Sequence, residues 1–83
     1  ERGRLRAELT QLGLASPPSQ SNFLLVQVPA PLDAEAIYLG LKQAGILVRY
    51  FKLAGLTDRL RITIGTPEEN HRLVQALLPL LKH

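Results

Sequence analysis

Two arginines in short apolar segments are the residues of this 83-residue sequence best suited to chemistry. Arg61 lies within RLRITIG, and Arg49 lies within ILVRYF. Successive side chains of a β-strand point to opposite faces, so in a strand Arg61 would point away from Leu60 and Ile62. An arginine in such a place binds a carboxylate or a phosphate through two parallel N–H donors. The simpler interpretation is that both arginines face solvent, as most strand arginines do.

The relative register of the two segments is not given by the sequence. The face that carries Arg61 would also carry Arg59 and Thr63, and the neighbouring strand would add Arg49. Whether Arg49 and Arg61 project into one cleft depends on that register. A shared anion site is therefore a hypothesis at this point.

The composition limits the other kinds of site. The chain has no cysteine, which excludes disulfides and thiolate metal sites, and His71 and His83 lack metal-ligand spacing, so no metal is expected. The formal net charge is +3 without a Lys/Arg cluster, so we do not expect nucleic-acid binding. No apolar run approaches the ~20 residues of a membrane helix, so no membrane is expected. A cysteine-free chain suits the cytoplasm.

Periodicity predicts one small α+β domain over residues 1–83, and the hydrophobic fraction of 46% fits a globular protein. The predicted order is α-β-α-β-β-α, in a two-layer sandwich whose three-stranded sheet has helices on one face. The segments are a helix over 1–12 followed by Gly13, a strand over 22–28, a helix between Asp33 and Gly45, strands over 46–51 and 59–65, and a helix from Thr66 to Leu78.

The helix starts carry capping signals. The Asp33 carboxylate can accept from free N–H groups of the first turn. Thr66 and Glu69 form a Thr-x-x-Glu capping box with Pro67 at the first helical position. These signals predict that the last helix begins directly after the third strand.

The connections between strands suggest the topology. The short loop between the second and third strands predicts an antiparallel hairpin. The first strand, the helix after it and the second strand suggest a parallel, right-handed βαβ unit or an edge arrangement. The sequence opens abruptly on ERGRLRAELTQLGL, which has the pattern of a helix interior. We therefore expect a piece of a longer protein, with residues 1–13 as the helix that leads in from a missing large domain.

Several of these segments, at their observed separation, resemble a known family. GILVRYFKLAGLTDRLRITIGTPEENHRLVQAL (45–77), together with SNFLLVQV and LDAEAIYLGLKQAGILVR upstream, is similar to the C-terminal small domain of histidinol-phosphate aminotransferases. These belong to the fold type I pyridoxal-phosphate aminotransferases. Related enzymes for aromatic amino acids or for a cobalamin-pathway amino acid phosphate share much of the pattern, so the amino-group substrate stays open.

The resemblance implies a cofactor and a partner that this chain does not contain. Such enzymes move an amino group between an amino acid and a 2-oxo acid, and pyridoxal 5'-phosphate takes up the carbanion charge. The large domain of the same protein, in a homodimeric parent, would hold that cofactor on its own lysine. Lys42, Lys52 and Lys82 match no family motif, so neither catalytic nor cofactor-binding residues are expected here, and the chain alone should be inactive.

The resemblance also assigns substrate-binding roles. Arg61 occupies the place of the arginine that clamps the α-carboxylate of the amino or oxo acid. Arg49 occupies the place of an arginine that contacts the distal phosphate or carboxylate. Asn22 matches a family position at the start of the first strand, where an asparagine also serves as a turn or hinge residue.

A second interpretation does not need the rest of an enzyme. A free-standing α+β module that binds or senses a small molecule would have a similar number of elements. It would not require the matched strings around Arg49 and Arg61.

Overall fold

A computed structural model describes residues 2–17 and 21–81 of the chain. Its element order is α-β-α-β-β-α, so the predicted α+β class and order are confirmed. The elements are α1 (Arg2–Gln11), β1 (Phe23–Gln27), α2 (Ala34–Gln43), β2 (Arg49–Tyr50), β3 (Arg59–Thr63) and α3 (Pro67–Leu80).

The central strand of the sheet is β3, which pairs antiparallel with β1 on one side and β2 on the other. The predicted hairpin of β2 and β3 is confirmed. β1 and β2 run parallel in one sheet but are not neighbours, because β3 lies between them. The edge arrangement, the other possibility, is the one observed: β1 and β2 run the same way at opposite edges.

The second strand is shorter than predicted. The sequence predicts a strand over residues 46–51, whereas the β2–β3 ladder contains only Arg49 and Tyr50. The cause lies at the end of α2, where Gly45 has a φ of 82° and the Ile46 N–H donates to the Leu41 carbonyl at 2.8 Å. This backbone bond keeps the chain attached to the helix end, so pairing with β3 starts three residues later.

One face of the sheet carries the hydrophobic core. Leu24 and Val26 of β1 and Leu60 and Ile62 of β3 are buried, as the period-two alternation predicts. All three helices add to the same cluster of buried side chains. Their main contributions are Leu5 and Leu9 from α1, Ala34, Ile37 and Leu41 from α2, and Leu73 and Leu77 from α3.

The connection from β3 into α3 is fixed by side chains. The predicted capping box is present: the Glu69 N–H donates to the Thr66 hydroxyl at 3.2 Å, and the Thr66 N–H donates to the Glu69 carboxylate at 2.9 Å. Asn70, which is buried, adds a second pair of bonds that the capping signals did not predict. Its Oδ1 accepts from the Gly65 N–H at 2.9 Å, and its Nδ2 donates to the Gly65 carbonyl at 3.2 Å. These bonds set where β3 ends and α3 begins.

The predicted cap of α2 is also present. Asp33 is extended at the cap position, and its carboxylate accepts from the Glu35 N–H at 3.3 Å. The α1 end differs by one residue from the prediction, since the helix stops at Gln11 and Gly13 has a φ of 91°. After this turn, Ala15 pairs with Gln27, which attaches the described part of the following loop to the outer edge of β1.

The core predicts a stability difference between two leucine substitutions. Leu77→Ala should lower the free energy of unfolding by about 2–5 kcal/mol, because Leu77 is fully buried and truncation leaves a cavity. Leu53→Ala is the matched control: Leu53 is 60% exposed, and its loss should cost less than about 0.5 kcal/mol. Urea unfolding followed by circular dichroism measures both. Equal effects at the two positions would contradict the assigned core.

The capping box predicts a pH dependence. Hydrogen bonding from the Thr66 backbone, then from its side chain, lowers the pKa of the Glu69 carboxyl, and Arg72 acts in the same direction. Because the pKa of Glu69 is lower in the folded chain, the unfolded chain binds more protons at pH values around the two pKa values. The contribution of Glu69 to the free energy of unfolding is complete above the ordinary glutamate pKa of 4.5. It is lost as the pH falls through the pKa of the folded chain. Unfolding measured from neutral to acidic pH should show this loss.

Two variants test the origin of that pH dependence. Glu69→Gln keeps an acceptor for the Thr66 N–H but does not titrate, so the loss of stability below the ordinary glutamate pKa should be smaller. Glu68→Gln removes a carboxylate from the same turn without touching the box. It should keep the pH dependence, and the opposite pattern would show that Glu69 is not its source.

Candidate functional site

The candidate site lies on the face of the sheet opposite the core. Arg61 is the middle residue of β3, and its neighbours Leu60 and Ile62 point into the core. The Arg61 guanidinium carbon lies 5.2 Å from the centroid of the Phe23 ring and 6.0 Å from that of Phe51. Both distances fall within the range of a cation–π contact. The expected alternation of β3 is therefore present, and it places Arg61 between two aromatic rings.

One atom of Arg61 is buried without a hydrogen-bond partner in the described part of the chain. This atom is Nε, and the two terminal nitrogens of the group are not among the buried atoms that lack a partner. A buried donor without a partner costs about 1–3 kcal/mol, more when the group is charged. A cationic group held half-buried at this cost is what a binding site for an anion requires.

Arg49 lies directly opposite Arg61 in the β2–β3 ladder. The register that the sequence left open thus brings the two predicted arginines together on the open face. Arg49 is exposed, and within the described residues neither of the two side chains has an ion pair or hydrogen bond. Like charges directly opposite on a sheet repel each other. An anion with acidic groups at two ends would relieve that repulsion.

The third arginine of this face is already paired. The Arg59 Nε contacts the Asp58 carboxylate at 3.4 Å, and the Gln27 side-chain amide donates to the same carboxylate at 3.2 Å. Arg59 thus has the partner within the chain that Arg49 and Arg61 lack. Arg59 is therefore a weaker candidate for binding an external anion than Arg49 or Arg61.

Asn22 lies at the start of β1, with an exposed side chain. Its backbone carbonyl accepts from the Ile64 N–H at 2.8 Å, which continues the β1–β3 pairing by one residue. The contact is a backbone one, in keeping with the turn or hinge role. Substrate contact by its side chain remains a prediction.

A groove of about 500 Å³ lies elsewhere, between residues 45–48 and the junction of β3 with α3. It exists because β2 pairs with β3 only from Arg49 onward. Its walls are largely apolar, and its carboxylate, Glu69, is held in the capping box. Neither Arg49 nor Arg61 lines the groove. The arginine pair is therefore the better candidate site, although it lies on an open surface.

Comparison with known proteins decides the family. The sequence profile described as "Aminotransferase class I and II" matches residues 1–77. This chain belongs to the class I and II aminotransferase family.

Individual relatives agree with that assignment. The chain is 52% identical over 81 residues to histidinol-phosphate aminotransferase 1 of Nostoc sp., covering 98% of this chain and 23% of the relative. A histidinol-phosphate aminotransferase of Sinorhizobium meliloti, solved in complex with pyridoxal-5'-phosphate, superimposes with a TM-score of 0.81 at 31% identity, over 96% of this chain and 22% of the other. The aminotransferase chain thus spans about a quarter of the length of such relatives.

A decarboxylase from Sulfurospirillum multivorans superimposes equally well. Its TM-score is 0.85 at 29% identity, over 98% of this chain and 24% of the other. The same fold therefore occurs in proteins described by different reactions. The fold of this chain does not by itself select a reaction.

The lysines of the aminotransferase chain do not fit a site for pyridoxal phosphate. A lysine that forms a Schiff base needs a lowered pKa and a sheltered amine. The Lys52 amine instead contacts the Glu35 carboxylate at 2.9 Å on the surface, and this hydrogen bond raises its pKa. Lys42 is exposed on α2, and Lys82 lies outside the described residues. No step of a reaction can be derived for the cofactor from these residues.

Other kinds of site receive no support within residues 2–17 and 21–81. Over these ranges, no group of three His, Cys, Asp or Glu side chains could hold a metal ion. His71 is exposed there, and His83 lies beyond them. The helices of the described part are too short or too polar to cross a membrane.

Sequence reasoning missed the two phenylalanines of the candidate site. The signal was present in the alternation, since Phe51 has the same parity as Arg49 in the second strand segment. Phe23 lies on the open face of β1, opposite the buried Leu24. Only the register shows that both rings reach Arg61.

The unpaired arginines predict an increase in stability when one of them is removed. Arg49→Gln should raise the free energy of unfolding by roughly 0.2–1 kcal/mol at low salt, because it removes a like charge opposite Arg61. The gain should shrink in high salt. Arg59→Gln is the matched control, since it removes a charge that already has Asp58, and it should not stabilise. Urea unfolding at two salt concentrations measures both, and destabilisation by Arg49→Gln at low salt would contradict the repulsion.

Proposed function

We propose that this chain is the substrate-binding, C-terminal small domain of a pyridoxal-phosphate-dependent aminotransferase. The reaction is amino transfer between histidinol phosphate and 2-oxoglutarate in histidine biosynthesis. The observation that carries the proposal is the Arg61 guanidinium, half-buried between Phe23 and Phe51 with no hydrogen bond inside the described chain. Relatives named for this reaction match almost the whole chain.

Arg61 holds the α-carboxylate of the amino or oxo acid. A planar guanidinium whose two terminal nitrogens have no hydrogen bond within the described chain matches the two oxygens of a carboxylate. A central strand anchored on both sides gives the group a fixed position. Fixed placement of the substrate relative to a cofactor is what this part of the protein contributes to catalysis.

Arg49 holds the other acidic end of the substrate. It is one strand away from Arg61 in direct register and is exposed, so it can reach a group several ångströms from the first carboxylate. A phosphate and a distal carboxylate both suit it. Histidinol phosphate and 2-oxoglutarate would therefore share one site. Asn22, which directly precedes Phe23 at the start of β1, contributes its backbone position and a weaker substrate contact.

The remaining machinery belongs to the rest of the protein. Since the described lysines do not fit the cofactor, we place pyridoxal phosphate and its lysine in a large domain of the same polypeptide, which residues 1–13 would connect to this one. When bound, that cofactor supplies the electron sink for amino transfer. The parent is a homodimer in the cytoplasm under this proposal, and the chain alone is inactive.

The decisive experiment removes Arg61 from the complete enzyme. Arg61→Ala should raise the KM for glutamate and 2-oxoglutarate strongly. The fall in kcat/KM should correspond to about 2–5 kcal/mol of lost transition-state stabilisation, because a buried charge pair loses one partner. Arg61→Lys should recover only part of this loss, since an ammonium cannot form the two-pronged contact. Steady-state kinetics with each substrate measures the effect.

The control is Arg59→Ala, which removes a neighbouring arginine that is paired with Asp58. It should leave both KM values within about twofold, because the charge of Arg59 is already paired within the chain. Unchanged kinetics in Arg61→Ala would overturn the assignment of this residue. Activity toward histidinol phosphate no higher than toward aromatic amino acids would overturn the substrate while leaving the aminotransferase proposal standing.

A further inference from the structure

We propose that Phe23 and Phe51 are positioning residues that hold the Arg61 guanidinium between two rings and present its terminal Nη1–Nη2 edge, not its Nε edge, to the ligand carboxylate. The inference rests on the proposed function and deepens it. It concerns the orientation of the Arg61 guanidinium and which of its N–H groups donate to the substrate.

The sheet register places the two rings at opposite corners around Arg61. Phe23 pairs with Thr63, which lies two residues after Arg61 at the end of β3. Phe51 follows two residues after Arg49, which pairs with Arg61, and so lies toward the start of β3. Diagonal neighbours of this kind are within reach of aromatic side chains. The guanidinium carbon at 5.2 Å and 6.0 Å from the two centroids therefore has a ring on each side.

The packing of the rings indicates that they serve the arginine rather than the core. Phe23 and Phe51 are half-buried, yet neither belongs to the core cluster or to the partly buried side chains packed against it. On the opposite face, the Arg61 guanidinium lies within cation–π distance of both rings. The negative faces of the two rings attract the cation and restrict its rotation about the terminal bonds.

The same packing selects the donors that a ligand can reach. Nε is buried with no partner in the described chain, whereas neither terminal nitrogen is among such buried atoms. A carboxylate arriving from the open face therefore meets Nη1 and Nη2 in an end-on, two-pronged contact. A lysine at position 61 would keep the charge but lose this planar edge.

The test uses the complete, cofactor-loaded enzyme and the non-reacting dicarboxylate glutarate. Phe23→Leu and Phe51→Leu should each weaken glutarate binding, measured by calorimetry, by about 2- to 30-fold, the range of one cation–π contact. The KM for 2-oxoglutarate should rise similarly with little change in kcat. Phe23→Tyr and Phe51→Tyr keep a ring and should restore affinity. Tyr38→Leu is the matched control, since Tyr38 stacks on Tyr50 rather than on Arg61, and it should leave Kd unchanged.

A double-mutant cycle separates positioning from a structural role. In an Arg61→Ala background, the Phe→Leu substitutions should cause no further loss of glutarate affinity, because their effect acts through the guanidinium. An additional loss of the same size would overturn the proposal, as would a Phe→Leu enzyme that fails to fold, since neither ring belongs to the core. If Arg61→Ala weakens binding while the Phe→Leu variants do not, only the positioning role fails. If Arg61→Ala itself has no effect, the proposed function fails.

A crystal structure of the glutarate complex tests the edge directly. Carboxylate oxygens in hydrogen-bond contact with Nη1 and Nη2 would support the end-on geometry. A contact to Nε would overturn it, because the rings would then have moved aside.

Discussion

The pairing of β3 with both neighbouring strands is the interaction on which the rest of this domain depends. It makes β3 the central strand and fixes the residues on each of its faces. With Leu60 and Ile62 in the core, Arg61 must lie on the opposite face. A shift of one residue would bury the guanidinium and expose the leucine. The core therefore holds the arginine in place without contacting it.

The ends of β3 are secured by polar contacts that keep this register. At the end that leads into α3, Asn70 brackets the Gly65 backbone, and the Thr66–Glu69 box starts the helix. At the other end, Val28 N–H donates to the Asp58 carbonyl at 2.8 Å. The apolar core supplies the burial, and these directional bonds determine where the strand starts and stops. Placement of a binding side chain to within a fraction of an ångström needs both kinds of contact.

Much of this fold is predictable from local signals, and the failures have a physical cause. Alternation in β3 and the capping residues Asp33 and Thr66 depend on neighbours in sequence, and each prediction from them is confirmed. The length of β2 and the neighbour of β1 depend on which strands meet in space. Local patterns do not carry that information, so the sequence left open which strand lies beside β1. The same holds for the candidate site. The local sequence identifies Arg61, whereas its proximity to Arg49 and Phe23 becomes known only from the register of the strands.

The two faces of the sheet contribute to the stability of the fold in opposite directions. On the core face, the side chains of Leu24, Val26, Leu60 and Ile62 are apolar and buried. On the open face, Arg49 faces Arg61 and a buried Nε has no partner in the described chain, so this arrangement costs stability in the absence of a ligand. Selection for stability alone would not keep such a pair. Binding of an anion would turn both costs into favourable interactions, and affinity for that anion therefore arises from the same contacts that make the free face unfavourable.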